Sequence, residues 1–297
     1  MSDTAAITVA SADGHRWSMP AVQPASPRAD LLWLPALGVS ARHYLPLAEA
    51  LAAHGVATYL HEWRGHGSSS LRASRQMNWG FAALLGHDLP AAVDAMPARG
   101  RRPLLLGGHS LGGQLACCFA GQMRPAPEGL WLVASGTPYW RTFPGIRGSA
   151  LPLVYRFLPW LARRNGSLPG RRLGFGGREA RGLVADWAKV GLCDRYAAAG
   201  LDADLEAGMA ALRTPVHGVC LDGDWLAPAS SLLGLFGHMP SATHTVSRLG
   251  PDDLGTRADH FSWMRMPTAI AAALADTAIT RESGAAKETT TGFSQND

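Results

Sequence analysis

The sequence predicts an α/β fold, a mostly parallel sheet with helices on both faces and an inserted helical segment. Three observations carry this. Short apolar runs alternate with stretches of helical spacing along most of the 297 residues, as expected of strand–helix–strand crossovers in a sheet covered on both sides. The composition, 47% hydrophobic and 17% charged, is globular and excludes a disordered chain, a coiled coil and a collagen-like repeat. The length sits near the upper limit of one hydrophobic core, so one domain with an insertion is expected rather than two independent domains.

Each element follows from local pattern. Ile7–Ala10 and Arg16–Val22 flank Asp13-Gly14, a hairpin turn signal. Asp30–Leu37 is a buried-strand run, and Ala41–His54 has helical apolar spacing up to Gly55, a C-terminal cap residue. Val56–Trp63 is a strand, Trp79–Met96 a helix, Arg102–Gly107 a strand, Leu111–Gln122 a helix and Leu130–Ala134 a strand. Val216–Leu221 is a late strand, and a last helix is expected over Ser262–Ile279. Residues 137–213 break the alternation. Helical patterns at Ala150–Arg164, Arg178–Val190 and Ala203–Leu212, joined by Gly/Pro/Arg-rich stretches, mark an inserted helical cap. The expected division is a core of residues 1–136 and 214–282, the cap at 137–213, and a disordered polar tail at 283–297.

No apolar run approaches the roughly 20 residues needed to cross a bilayer. The first residues, MSDTAAITVASADG, lack a basic and an apolar region of a secretory signal, which makes the cytoplasm the default address. The net charge is +4, and 25 of the 27 basic residues are Arg, scattered among Gly and Pro without a recognition motif, so a nucleic-acid partner is not expected. Cys117, Cys118, Cys193 and Cys220 show no CxxC spacing and read as reduced packing residues. Adjacent Cys117 and Cys118 on one helix are not expected to both point inward. Asp88 reads as a solvated or locally bonded helix residue. No metal, nucleotide or flavin signature is present, and no cofactor is expected.

The chemistry centres on Gly108-His109-Ser110-Leu111-Gly112, which fits G-x-S-x-G directly after a strand run and at the opening of a helix. That is the setting of a nucleophile elbow. A serine on a sharp strand-to-helix turn needs small neighbours, which Gly108 and Gly112 supply. The Leu111 amide, in the first helical turn, is free to bind an oxyanion. Serine also needs a base. Val216–Leu221 leads into Asp222-Gly223-Asp224-Trp225-Leu226-Ala227-Pro228, and Asp259-His260-Phe261 precedes the last helix. The order Ser110…Asp…His260 suits this elbow. Asp222 is the other candidate acid, and His238 and His244 are the other candidate bases.

These motifs resemble the α/β-hydrolase superfamily, in its serine esterase/lipase-like branch with a helical cap, over roughly residues 29–280. LPALG at Leu34–Gly38 sits where the family has a His-Gly-x-Gly oxyanion loop, HEWRGHGSSS at His61–Ser70 resembles its loop after the next strand, and DHFSWMR resembles its His loop. In the family the acid lies four residues before a Pro, which selects Asp224. The resemblance implies a Ser110–His260–Asp224 triad and an oxyanion hole from the Leu37 and Leu111 amides. Pro35-Ala36 replaces His-Gly, and Ala36 does not easily adopt positive φ. His61-Glu62 replaces a common Asp. Arg64 and His66 lie in a loop facing the catalytic edge, with turn stabilisation as their default role, and His109 is expected to pack or hydrogen-bond locally.

Residues 141–172 hold seven Arg (141, 147, 156, 163, 164, 171 and 172) and no acid. One reading is a solvated face. The other is attraction of an anionic acyl substrate, such as a carboxylate ester or CoA thioester, or of an anionic lipid surface. Trp187, Trp225 and Trp263 are candidates for lining a substrate pocket. The expected function is hydrolysis of a small or medium carboxylic ester, thioester or amide through an acyl-enzyme, with a small-molecule acyl substrate and no stable membrane insertion. The alternatives are a catalytically silent binding member of the fold, or an acyltransferase or C–C hydrolase using the same triad.

Overall fold

A computed structural model describes residues 3–97, 100–173 and 176–276. Its strands are β1 (Asp3–Ala10), β2 (Arg16–Gln23), β3 (Ala29–Leu34), β4 (Val56–Leu60), β5 (Leu104–His109), β6 (Gly129–Val133), β7 (Leu168–Pro169), β8 (Arg178–Glu179), β9 (Val216–Leu221) and β10 (His244–Leu249). Eight of them form one sheet in the order β1-β2-β4-β3-β5-β6-β9-β10, and β7 pairs with β8 alone. β1 and β2 form the antiparallel hairpin, β2 meets β4 antiparallel, and every pair from β4 to β10 is parallel. Every residue of β4, β6 and β9 is buried, as apolar runs in the middle of a two-sided sheet require.

The helices are α1 (Leu45–Ala52), α2 (Phe81–Ala83), α3 (Leu89–Asp94), α4 (Leu111–Gln122), α5 (Gly145–Asn165), α6 (Gly170–Leu173), α7 (Arg181–Cys193), α8 (Leu205–Ala210), α9 (Ala229–Gly237) and α10 (Pro251–Leu254). Residues 268–276 are also helical. One core, around Leu32, Leu106, Leu115 and Phe119, covers one sheet face. A second, around Leu31, Trp33, Tyr44, Val133 and Trp263, covers the other. β3 pairs Leu34 with Gly108, and β6 pairs Val133 with His109. The carboxyl ends of three adjacent strands therefore meet at one edge, where open α/β sheets place their ligands.

Several expectations change. Cys117 and Cys118 are both buried. α4 has no solvent face, because the backbone of α8 lies against it: a Cβ on Gly121 would stand 2.6 Å from the Gly208 carbonyl carbon. Burial pushes the Cys117 thiol up to about 12. Cys193 is exposed rather than a packing residue. The 81–94 helix contains a π-turn at Leu84–Asp88, and Asp88 is fully buried rather than solvated. The last helical stretch is broken after the 3₁₀ turn Ser262–Arg265, before Pro267, because proline ends the preceding turn. β10 is a polar edge strand without apolar alternation. The 283–297 tail and the expected helix end at Ile279 lie outside the described residues.

Candidate active site

Strand β5 delivers the nucleophile. Ser110 sits between β5 and α4 at φ 56 and ψ −122, a backbone strain of about 1–3 kcal/mol for a residue with a Cβ. Its surroundings hold it there. The Ser110 amide donates to the Val133 carbonyl at 3.2 Å, and the Ser135 hydroxyl donates to the Ser110 carbonyl at 2.7 Å. A Cβ on Gly108 would lie 2.4 Å from the Gly112 carbonyl carbon, and one on Gly112 would lie 2.0 Å from the Leu34 carbonyl oxygen. The two motif glycines are therefore set by backbone contact on either side of a partly exposed serine.

The acid and base come from the loops after β9 and before the last helix. Asp224 Oδ1 accepts the amides of Leu226 (2.9 Å) and Ala227 (3.1 Å). Asp224 Oδ2 accepts from His260 Nδ1 at 2.7 Å, which leaves Nε2 as the basic nitrogen. Both side chains are buried. Asp259 caps the His260 loop by accepting the Phe261 and Ser262 amides (3.1 and 2.8 Å). The Trp263 indole donates to the His260 carbonyl at 3.0 Å. The His260 ring lies 4.7 Å from that of His109, the neighbour of Ser110. No hydrogen bond joins the Ser110 hydroxyl to His260 among the described residues.

The rival residues are engaged elsewhere. Asp222 pairs with Arg248 at 3.0 Å on the surface. His238 lies between Glu206 (2.8 Å) and Asp194 (3.2 Å), and His244 stacks on Phe236 at 4.3 Å.

The loop after β3 is tied to the elbow through Tyr44. Its buried hydroxyl accepts the Ala36 amide at 2.9 Å and lies 2.8 Å from His109 Nδ1. Burial, with the nearby His260 charge second, holds His109 well below the usual histidine range, which favours a neutral ring beside the Tyr44 hydroxyl. Positive φ falls on Gly38 (+80°), not on Ala36, which removes the objection to Ala36 in this loop. Leu37 follows the Tyr44-bound Ala36, and Leu111 opens α4, where the first amide has no helical acceptor. In the sequence Tyr44 occupies an apolar position of a helical pattern and carries no polar signal.

A cleft of about 450 Å³ beside His260 is lined by Trp225, Leu226, Arg257, Phe261 and Arg265 among others. Of the three candidate tryptophans, Trp225 lines it. Trp263 does not, being fully buried beneath the His260 loop, where its indole N–H finds the partner that burial demands. Trp187 packs edge-on against Tyr155 at 5.1 Å inside the helical insertion.

The loop after β4 is structural. Arg64 donates to Asp88 at 2.6 and 2.8 Å and to Asp13 at 2.8 Å, and His15 Nδ1 lies 3.0 Å from Asp88. Burial raises the Asp88 carboxyl, but the His15 and Arg64 hydrogen bonds outweigh it and hold the group below its usual range. Glu62 accepts the Ala41 amide at 3.1 Å. His66 bonds Glu179 of β8 at 3.2 Å, and Glu179 also accepts the Gly177 amide at 2.6 Å.

The eight-stranded sheet, its strand order and the strained serine at the end of β5 define an α/β-hydrolase. The chain belongs to the serine aminopeptidase S33 family, whose model matches residues 25–174, and it is a hydrolase of that superfamily. No curated protein matches it in sequence. Among solved structures it is similar to the esterase domain of a Rhodothermus marinus protein, with 20% identity, TM-score 0.61, and 93% of this chain and 98% of the other covered. It is similar to a thermophilic esterase from Thermogutta terrifontis at 18% identity and TM-score 0.61, covering 94% and 98%. It is also similar to a hydrolase from Pseudomonas aeruginosa PA01 at 20% identity and TM-score 0.57, covering 91% and 97%. Among the described residues no helix is long and apolar enough to cross a membrane.

Proposed function

We propose that the protein is a serine hydrolase of carboxylic esters acting through an acyl-enzyme. The observation that carries this is the 2.7 Å Asp224–His260 hydrogen bond beside a serine held at φ 56. Ser110 Oγ attacks the ester carbonyl as His260 Nε2 takes its proton. Asp224 holds the opposite Nδ1–H and stabilises the imidazolium. His109 stays neutral, so no second positive charge opposes that imidazolium. The Leu37 and Leu111 amides receive the oxyanion, favoured by the N-terminal end of α4. His260 then protonates the leaving alcohol, and a water activated by the same nitrogen releases the acid.

The family model's description raises a second reading, an aminopeptidase. Such an enzyme needs a free acid to receive the substrate's ammonium group. In the cleft beside His260, Asp259 is already committed to the Phe261 and Ser262 amides, and the other charged neighbours are Asp224, bound to His260, Arg257 and Arg265. That cleft does not include Ser110, so substrate choice is what separates the two readings. A fluorophosphonate probe tests the proposal. Wild type becomes labelled, Ser110→Ala does not, and nitrophenyl esters of increasing acyl length turn over while aminoacyl nitroanilides do not. Absence of labelling in correctly folded wild type would replace the enzyme with a binding protein.

A further inference from the structure

Helix α5 has two apolar faces, and only one is covered. Gly148, Tyr155, Leu158, Pro159 and Ala162 are buried; Leu158 and Ala162 pack with Leu168 and Val184. At 100° per residue, Ile146, Ala150, Leu153, Phe157 and Trp160 fall within an arc of about 80° on the opposite side. Ile146 is 86% exposed, Leu153 72%, Phe157 49% and Trp160 51%. Phe157 and Trp160 lie against each other, ring centroids 5.7 Å apart, with their outer surfaces in water. A surface helix normally turns polar residues outward, so this face needs an occupant.

Its border says which. Arg147 lies on one flank of the apolar arc, Arg156 and Arg163 on the other, and Arg164 at its end. All four are exposed, and none forms an ion pair among the described residues. No acid occurs between residues 141 and 172. Such unbalanced positive charge opposes pairing with a second copy and attracts an anionic surface. Phe157 and Trp160 continue into aliphatic Ile146 and Leu153, the most exposed residues of the stripe, which offer nothing for a base to stack on and suit acyl chains better than nucleic acid. An apolar stripe bordered by arginines, on a helix of 21 residues, has the form of a helix lying in the bilayer interface.

We propose that the outer face of α5 docks the protein reversibly on anionic lipid bilayers. Ile146, Leu153, Phe157 and Trp160 enter the acyl–headgroup boundary, and the flanking arginines contact the headgroups. The site lies close by. The Arg147 guanidinium stands 5.1 Å over the Trp225 ring, and Trp225 lines the His260 cleft. Docking would therefore bring the cleft beside lipid-soluble esters. Attachment itself is independent of the hydrolase reading.

The test is co-sedimentation of the full chain with phosphatidylcholine vesicles, with and without phosphatidylglycerol. Wild type and Ser110→Ala are expected to partition equally onto the anionic vesicles, at least tenfold more than onto pure phosphatidylcholine, and to release as salt rises. Leu153→Glu/Phe157→Glu should lose at least tenfold. Each of Arg156→Glu and Arg163→Glu should lose roughly fivefold or more at low salt. Turnover of water-soluble nitrophenyl acetate should be the same in the two α5 variant sets as in wild type, which separates loss of docking from loss of fold or catalysis. The proposal is overturned if wild type ignores anionic vesicles, or if the Leu153/Phe157 variant binds as well as wild type. It is equally overturned if wild type is a dimer that this variant dissolves, since the face would then belong to a second copy.

Discussion

The sheet and the helical segment between β6 and β9 are stabilised in different ways. Around Ser110 the backbone itself is the constraint. Gly108 and Gly112 admit no side chain, and Ser110 is held at positive φ. The segment carrying α5 to α8 rests mainly on side-chain packing, with a close backbone contact where Gly208 of α8 meets Gly121 of α4. It has a small cluster of its own, joins the main core through Leu183, Val190, Tyr196, Leu205 and Met209, and adds ties such as His66–Glu179 and His238 with Asp194 and Glu206. It also leaves an apolar face in water. The contrast separates two arrangements: the proposed nucleophile sits on a backbone that cannot relax, and α5 keeps an apolar surface free for the proposed docking.

The largest expected effect falls on the rigid region. Ser110→Ala and His260→Ala should each lower kcat by about 10⁴–10⁶, and the double variant should lose little more. Additive losses in steady-state kinetics would show that the two residues do not act as one unit. Next comes the junction. A Cβ on Gly38 would lie 2.3 Å from the Gly177 amide nitrogen, at φ +80. Gly38→Ala should therefore shift the loop proposed to hold the oxyanion and cost about 100-fold in kcat; unchanged kcat would detach that contact from the chemistry.

Within the insertion the two faces of α5 should separate clearly. Leu158→Ala, on the covered face, should cost about 2 kcal/mol in urea unfolding. Leu153→Ala, on the open face, should stay within about 0.5 kcal/mol.

The smallest effect concerns pH. Burial lowers His238, but the hydrogen bonds to Asp194 and Glu206 outweigh it and raise the group to about 9. A folded pKa above the unfolded value of about 6.5 favours the native state while the imidazole is charged. That contribution is complete below about pH 6.5 and is lost as pH rises through about 9. The Tm advantage of wild type over His238→Gln should thus fade between those values; a constant difference would mean that packing, not charge, accounts for it.

The central strands, the hairpin and α4 were legible because a two-sided sheet writes continuous apolar runs and an elbow writes its glycines. Ser110, Asp224 and His260 were legible as candidates because each sits at a strand end or before a helix in a fixed order. Asp88, Cys117 and Tyr44 were not. Their surroundings come from far along the chain: Asp88 meets His15 73 positions away, Tyr44 meets His109 65 away, and Cys118, next to Cys117, meets Met209 91 away, and local periodicity does not report such distances.

The residue order alone thus determined the α/β class and the serine motif, because turn geometry and strand periodicity are local properties of a chain. Tertiary structure decided that Trp263 supports the site without lining it, and that Gly38 carries the loop's positive φ. It also decided which face of α5 stays open. Those outcomes depend on which distant surfaces come within a few ångströms, and that is settled only when the sheet and its insertion pack together.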